Sequence, residues 1–263
     1  HECRGKTLGI VGYGNIGMQL GVIAEGLGMK VIYFDVQSKL PLGNAQPKAT
    51  LISLLAEAHV VSLHVPQHAS TELLIGEKEI AALRQGAMVI NASRGNVVDL
   101  DALAEALKSG HVGGAAIDVF PVEPRSNNDE FVSPLRGLEQ CLLTPHIGGS
   151  TEEAQENIGV EVAEKLSHYS DNGTTISAVN FPEVALPAYD GKHRLLHVHR
   201  NTPGIMSAIN QVFSDNNVNV SGQYLQTLGE MGYVVIDIEA DYSKVLIKSL
   251  TAIEGTLRVR VLF

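Results

Sequence analysis

The run Gly12-Tyr13-Gly14-Asn15-Ile16-Gly17 follows directly on the apolar stretch Leu8–Val11 and opens a segment of helical period that continues to about Leu27. A GxGxxG pattern alone is weak evidence; in strand, turn, helix order it leaves few folds open. Gly12 permits the tight turn, Gly14 lets backbone approach a pyrophosphate, and Gly17 allows close helix packing. The new helix then offers N–H donors and the positive end of its dipole to an anion. The second apolar run, Val31–Phe34, ends in Asp35, about 20 residues beyond the glycines. A carboxylate there accepts hydrogen bonds from both hydroxyls of an adenosine ribose and repels a 2′-phosphate, which favours NAD over NADP.

Further short apolar runs continue the pattern at Val60–Leu63, Met88–Asn91, Ala115–Val119 and Leu142–Leu143, separated by segments of helical period. Runs of this kind fit parallel strands covered on both faces, so the first part reads as an α/β, doubly wound parallel Rossmann-type sheet. One intervening helix is clear: Asp99 starts it, Leu100, Leu103 and Leu107 share a face, and Gly110 ends it. A longer helix is expected from Ser150 to Asn172, stopped by Asn172-Gly173. Asn180 to Gly191, with two prolines and little periodicity, reads as a linker. The tail then gives a strand (Leu195–His199), a helix (Gly204–Asn216), two strands (Val218–Leu225 and Tyr233–Glu239), a helix (Tyr242–Ile253) and a strand (Leu257–Leu262). That order, βαββαβ, is the ferredoxin-like plan. The boundaries expected are therefore 1–149 for a nucleotide-binding domain, 150–190 for a connecting stretch and 191–263 for a small α+β domain.

Composition narrows the roles. Of 263 residues 44% are hydrophobic and 18% charged, and the formal net charge is −10 without any run of Lys or Arg. Such a chain repels phosphate backbones and anionic lipid, so neither nucleic acid nor membrane is expected as a partner. No apolar stretch approaches the ~18 residues of a membrane helix. Cys3 and Cys141 form no CxxC pair, which fits a reduced, cytoplasmic protein, and no metal site is expected. The chain starts without Met and enters an apolar run within ten residues, as a fragment or processed product would.

Three segments end expected strands, where open α/β sheets place their ligands: Asn91–Gly95, Ala116–Pro124 and Leu143–Ser150. Together they supply Arg94, Asp118, Glu123 and His146. Oxidising a secondary alcohol needs a base for the hydroxyl proton, and imidazole titrates near neutral pH. A carboxylate such as Glu123 on the other ring nitrogen fixes the tautomer and favours the cation that forms. Arg94 can grip a substrate carboxylate through its planar fork, and Asp118 can reach the nicotinamide end of a cofactor. A strand-end Arg is by itself more often a surface ion-pair partner, and a lone His a loop residue; their joint appearance on one sheet reverses that weighting.

The segments GYGNIG, NASRG, AAIDVFPVEP and TPHIGGSTEEAQENIG together resemble the D-isomer-specific 2-hydroxyacid dehydrogenases, over essentially all of Gly5 to Asn180. The resemblance implies Arg94, Glu123 and His146 as the catalytic residues. It implies cofactor contacts at Asn15, Ile16, Asp35, Ala92, Ser93, Arg94, Asp118, His146, Ile147, Gly148 and Gly149, beside Gly12, Gly14 and Gly17. The tail is similar to an ACT domain, a small module that binds amino acids and commonly pairs edge to edge with a second copy. In the serine-inhibited members of the family this implies His199, Asn201 and Asn219 as serine ligands, 3-phosphoglycerate as substrate, and a homo-oligomer formed through ACT and cofactor domains. Asn amides suit a small zwitterion, since they both donate and accept. The family builds its substrate domain from two stretches, and only the returning one, from about Ser150 to Gly191, is seen here; little turnover is expected of this chain alone, and an exposed apolar face would favour association. Three other readings stay open: a dehydrogenase for a different 2-hydroxy acid, a non-catalytic NAD-dependent binding protein on the same fold, and a free amino-acid sensor formed from the tail alone.

Overall fold

Every residue of Thr7–Val11 is buried, because this strand is flanked by neighbours and covered on both faces. Leu8 and Ile10 join Tyr13, Ala24, Val31 and Tyr33 on one side, while Val11 packs with Ile32, Leu54, Val61 and Leu63 on the other. That two-sided packing is why the run reads as continuously apolar. In the computed structural model, which describes residues 2–126, 128–187, 193–239 and 244–262, the chain divides into two compact units, His1–Thr151 and Glu152–Phe263.

The first unit runs β1 (Thr7–Val11), α1 (Asn15–Gly26), β2 (Lys30–Phe34), β3 (Gln46–Pro47), α2 (Leu51–Glu57), β4 (Val60–Leu63), α3 (Glu77–Ala81), β5 (Ala87–Asn91), α4 (Leu100–Lys108), β6 (Val112–Ile117) and β7 (Cys141–Leu143). Its seven strands are all parallel, in the order β3-β2-β1-β4-β5-β6-β7. The order reverses between β1 and β4, so the carboxyl ends of these strands flank the crevice where such sheets bind ligands. Thr50 caps α2 through a reciprocal pair of bonds with Ser53, and Asp99 caps α4 by accepting from Asp101 and Ala102. The sequence reading sets β6 at Ala115–Val119; it begins earlier, at Val112, and ends at Ile117. Gly113 and Gly114 carry no side chain to mark a strand, and β3, two residues long, leaves no periodic trace.

The second unit contains α5 (Glu152–Asn172), β8 (His193–Arg200), α6 (Ile205–Asp215), β9 (Val220–Leu228), β10 (Met231–Ile238), α7 (Lys244–Ala252) and β11 (Thr256–Val261). The strands form one antiparallel sheet in the order β11-β8-β10-β9, as the βαββαβ plan requires. Leu195, Val234, Ile236 and Ile238 face Ile205, Ile209 and Phe213 of α6 and Leu246 and Leu250 of α7. The opposite face carries Leu196, Tyr233 and Val235, packed against Val184 with Phe181 and Leu186 beside them. The Tyr233 hydroxyl donates to the Gly173 carbonyl at 2.6 Å, and Arg260 donates to the Ser170 carbonyl, so the end of α5 is fastened to this sheet. The expected start of α7 at Tyr242 and the end of the linker at Gly191 lie outside the described residues. Among the described residues no helix is long and apolar enough to cross a membrane.

Candidate active site and nucleotide cradle

At the end of β1 the chain turns through Gly12 in a left-handed conformation, φ +90°, which glycine adopts without strain. A Cβ there would stand 2.6 Å from the His64 carbonyl at the end of β4, so only glycine fits. At Gly14, by contrast, an added Cβ would meet no atom within 4 Å among the described residues. This is open backbone at the start of α1, with Asn15 and Ile16 exposed beside it. Asp35 sits at the end of β2 and accepts from the Tyr13 and Gln37 backbone N–H groups, each at 2.8 Å. These bonds tie the carboxylate to the glycine turn. An open glycine backbone, a helix N-terminus and a fixed carboxylate are the parts that a dinucleotide cradle on such a sheet needs. His64, half-buried, meets the Ser62 hydroxyl at 2.9 Å, and burial pushes its imidazole down.

The loop after β5 is built on Asn91, which is fully buried. Its Oδ1 accepts from the Ser93 N–H and hydroxyl, and its Nδ2 donates to the Arg94 carbonyl. Ser93 is therefore buried with its hydroxyl committed inside the loop, whereas Ala92 and Arg94 are exposed. The loop after β6 lies so close that a Cβ on Gly95 would stand 2.0 Å from the Phe120 carbonyl carbon. The atoms opposite are all backbone, so no flexible side chain can swing aside. Gly95→Ala should drive the two loops apart, lowering the thermal stability of the chain by about 1–3 kcal/mol; an unchanged melting temperature would contradict that contact.

Asp118 is 8% exposed and its carboxylate is fully engaged. It accepts from the Thr144 hydroxyl at 2.6 Å and from the Ile147 and Gly148 N–H groups at 3.0 Å. Burial works against its charge, but these bonds and the nearby His146 outweigh that and hold the carboxyl below its usual range. The sequence reading gave Asp118 to the cofactor alone; here it also clamps the turn that carries His146. That turn needs a clamp, since His146 has φ +54°, a conformation that costs a non-glycine residue energy.

So held, His146 places Nδ1 at 2.9 and 3.0 Å from the two oxygens of Glu123. Glu123 is fixed in turn by the Phe120 N–H at 3.0 Å. Burial would raise the Glu123 carboxyl, yet the bonds from His146 and Phe120 and the charge of His146 hold it low. A cleft of about 400 Å³ is lined by Arg94, Glu123 and His146 with Gln67, Gly95, Phe120 and Pro121. The structure thus gathers the guanidinium, imidazole and carboxylate from three loops on one sheet edge, with Nδ1 occupied and Nε2 left for a reacting group. Gln67 escaped the sequence reading; its only mark is its place just past the end of β4. Ile147, Gly148 and Gly149 are exposed beside the cleft. Among the described residues no cluster of His, Cys, Asp or Glu has the arrangement of a metal site.

The three residues expected to hold an effector do not meet within one chain. His199 is 1% exposed, lying on the helix-covered face of β8, and Asn201 is exposed in the loop beyond, its amide donating to the Gly229 carbonyl. Asn219 is exposed just before β9. The register pairs Val220 with Ile238 and Ile238 with His193, whereas His199 pairs with Gly232. Asn219 is thus at the far end of the sheet, roughly 20 Å away at ~3.3 Å per residue.

With a parallel nucleotide-binding sheet and this cleft in place, residues 1–148 match the model of the D-isomer specific 2-hydroxyacid dehydrogenase NAD binding domain, and the chain belongs to that family. Residues 195–258 match the AHAS small subunit-like ACT domain. The chain is 59% identical to the D-3-phosphoglycerate dehydrogenase of Haemophilus influenzae, over 100% of its own length and 64% of the relative's. It is 57% identical to the D-3-phosphoglycerate dehydrogenase of Escherichia coli K12, with the same coverage. Among solved structures, the NAD-complexed D-isomer specific 2-hydroxyacid dehydrogenase of Lactobacillus delbrueckii ssp. bulgaricus is similar with a TM-score of 0.61 and 29% identity, over 68% of this chain and 58% of that one. The chain thus spans about 64% of the length of the curated relatives it matches.

Proposed function

We propose that this chain is the NAD-binding and regulatory part of a cytoplasmic D-3-phosphoglycerate dehydrogenase, which oxidises D-3-phosphoglycerate to 3-phosphohydroxypyruvate in the first step of serine synthesis. The observation that carries the reaction is the Glu123–His146 pair in one cleft with Arg94. NAD, when bound, supplies the hydride acceptor. His146 Nε2 takes the hydroxyl proton as the alcohol is oxidised, and Glu123 stabilises the imidazolium through Nδ1. Arg94 holds the substrate carboxylate and polarises the adjacent oxygen. The choice of substrate rests on similarity to the phosphoglycerate dehydrogenases that runs through both modules. NADH oxidation by the full-length protein tests it: phosphohydroxypyruvate should be preferred at least ~10-fold in kcat/KM over glyoxylate and pyruvate, a difference of about 1.4 kcal/mol in transition-state binding. Equal rates on all three would leave a 2-hydroxyacid dehydrogenase of another specificity.

The ACT domain, in this reading, binds serine and inhibits the enzyme. Because Asn219 is remote from His199 and Asn201 in one copy, the site is completed by a second copy across a seam, and the protein is a homo-oligomer. Calorimetry of serine against the chain should give saturable binding; none with serine, under conditions where the chain is folded, would remove the serine assignment.

A further inference from the structure

Three donors converge on the Asp118 carboxylate, and they differ in what they are attached to. The Ile147 and Gly148 N–H groups belong to the turn that carries His146. The Thr144 hydroxyl stands at the end of β7, where the Thr144 N–H donates to the Ile117 carbonyl of β6 at 3.0 Å. Asp118 is itself tied back to β5, its N–H donating to the Asn91 carbonyl at 2.9 Å. The hydroxyl bond of 2.6 Å therefore links one strand end to another, and the other two bonds hang the turn from that link. Closure of the turn on itself does not replace this. Ser150 donates from its N–H to the Ile147 carbonyl and from its hydroxyl to the His146 carbonyl, both at 3.1 Å, but both bonds lie within the turn.

An aspartate side chain swings about two torsions. Held only by N–H groups of the turn, the Asp118 carboxylate would move with the turn; held also by Thr144, it presents both oxygens at fixed points. Fixed points are what a strained residue needs. His146, at φ +54°, keeps that conformation only where its surroundings over-determine it. Glu123 fixes the ring, and Asp118 fixes the backbone that follows it.

We propose that Thr144 is a positioning residue for the oxidation: its hydroxyl orients Asp118, and through Asp118 it holds the turn that presents His146 to the cleft. This rests on the reading of His146 as the acid–base group and deepens it.

The test uses the full-length protein with NADH and phosphohydroxypyruvate. Thr144→Val keeps the size, the branched Cβ and the N–H bond to Ile117, and removes only the hydroxyl. It should lower kcat between about 10- and 100-fold, the penalty for a reacting group misplaced by on the order of 1 Å. KM and the affinity for NADH should stay within about 3-fold, since no contact to a bound molecule is removed. Thr144→Ser, which keeps the hydroxyl, should recover most of kcat. On an Asp118→Asn background, Thr144→Val should cost less than about 3-fold more, because the hydroxyl acts through that carboxylate. Losses that multiply overturn the proposal, as does a Thr144→Val enzyme with wild-type kcat, or one that loses NADH affinity and keeps kcat. Spectra of 15N-histidine need no turnover: the His146 ring signals should move in Thr144→Val, as the bond to Glu123 is released, and return in Thr144→Ser. Signals that stay in place sink the positioning role. A wild type that reduces no 2-oxo acid defeats the acid–base reading of His146 instead, while the spectra still decide what Thr144 holds.

Discussion

In the full-length protein, His146→Asn should lower kcat for phosphohydroxypyruvate reduction by roughly 10³-fold, within the range that positioned acid–base groups supply. Asparagine is the informative replacement because His146 has φ +54°, a region that Asn tolerates better than Ala, so the turn survives and the lost proton transfer is read cleanly. NADH should still bind, since the cradle proposed for it at Gly12, Gly14 and Asp35 lies on the opposite side of the switch point. Glu123→Gln should give a smaller loss, because the amide keeps a hydrogen bond to Nδ1 without the negative charge that favours the imidazolium. Binding of NADH is followed by fluorescence and kcat by absorbance on the same samples. A His146→Asn enzyme with kcat near that of the wild type would leave the chain as an NAD-dependent binder, with Glu123 and His146 a mere loop contact.

The pairing of Glu123 with His146 is legible in the sequence because both residues end neighbouring strands of one parallel sheet. What fixes His146 is not. The three bonds to Asp118 come from Thr144, Ile147 and Gly148. They exist only because β7 lies in register with β6, a contact between segments more than 20 residues apart. The close approach at Gly95 is hidden for the same reason: the sequence holds a glycine, but not the Phe120 carbonyl opposite it. In the tail, the expected strand Leu195–His199 already holds His199, but the effector reading took no account of the face on which it lies. The signal for that face was present, since Leu195, His197 and His199 alternate along one side of the strand and Leu195 is core. Period-two reading of β8 would have put the imidazoles under α6 and α7. The separation of Asn219 from His199 needed the strand register, which no local pattern specifies.

The second large effect is expected from Arg194, a residue that no motif marks and that is fully buried. Its guanidinium meets Asp237 twice, Nε to Oδ1 at 2.6 Å and Nη2 to Oδ2 at 2.7 Å, and Nη1 donates to the Asn172 carbonyl at 3.1 Å. A planar fork on a carboxylate is the geometry that best offsets the desolvation of both charges. Arg194→Leu leaves the Asp237 carboxylate, 8% exposed, without a counter-charge, and the Asn172 carbonyl at the end of α5 without this donor. The cost should be about 3–5 kcal/mol. In a unit of this size that lowers its unfolding transition by on the order of 10–25 °C, measured by calorimetry on the whole chain. The double variant Arg194→Leu with Asp237→Leu should recover most of the loss, because two apolar groups of similar volume need no solvation. If the single variant unfolds within about 1 kcal/mol of the wild type, the pair is not what fixes the sheet to the end of α5. If the double variant is no better than the single one, the Asn172 bond and the packing of the Arg194 stem carry the stability, beside the Tyr233 and Arg260 bonds that also hold the end of α5 to this sheet.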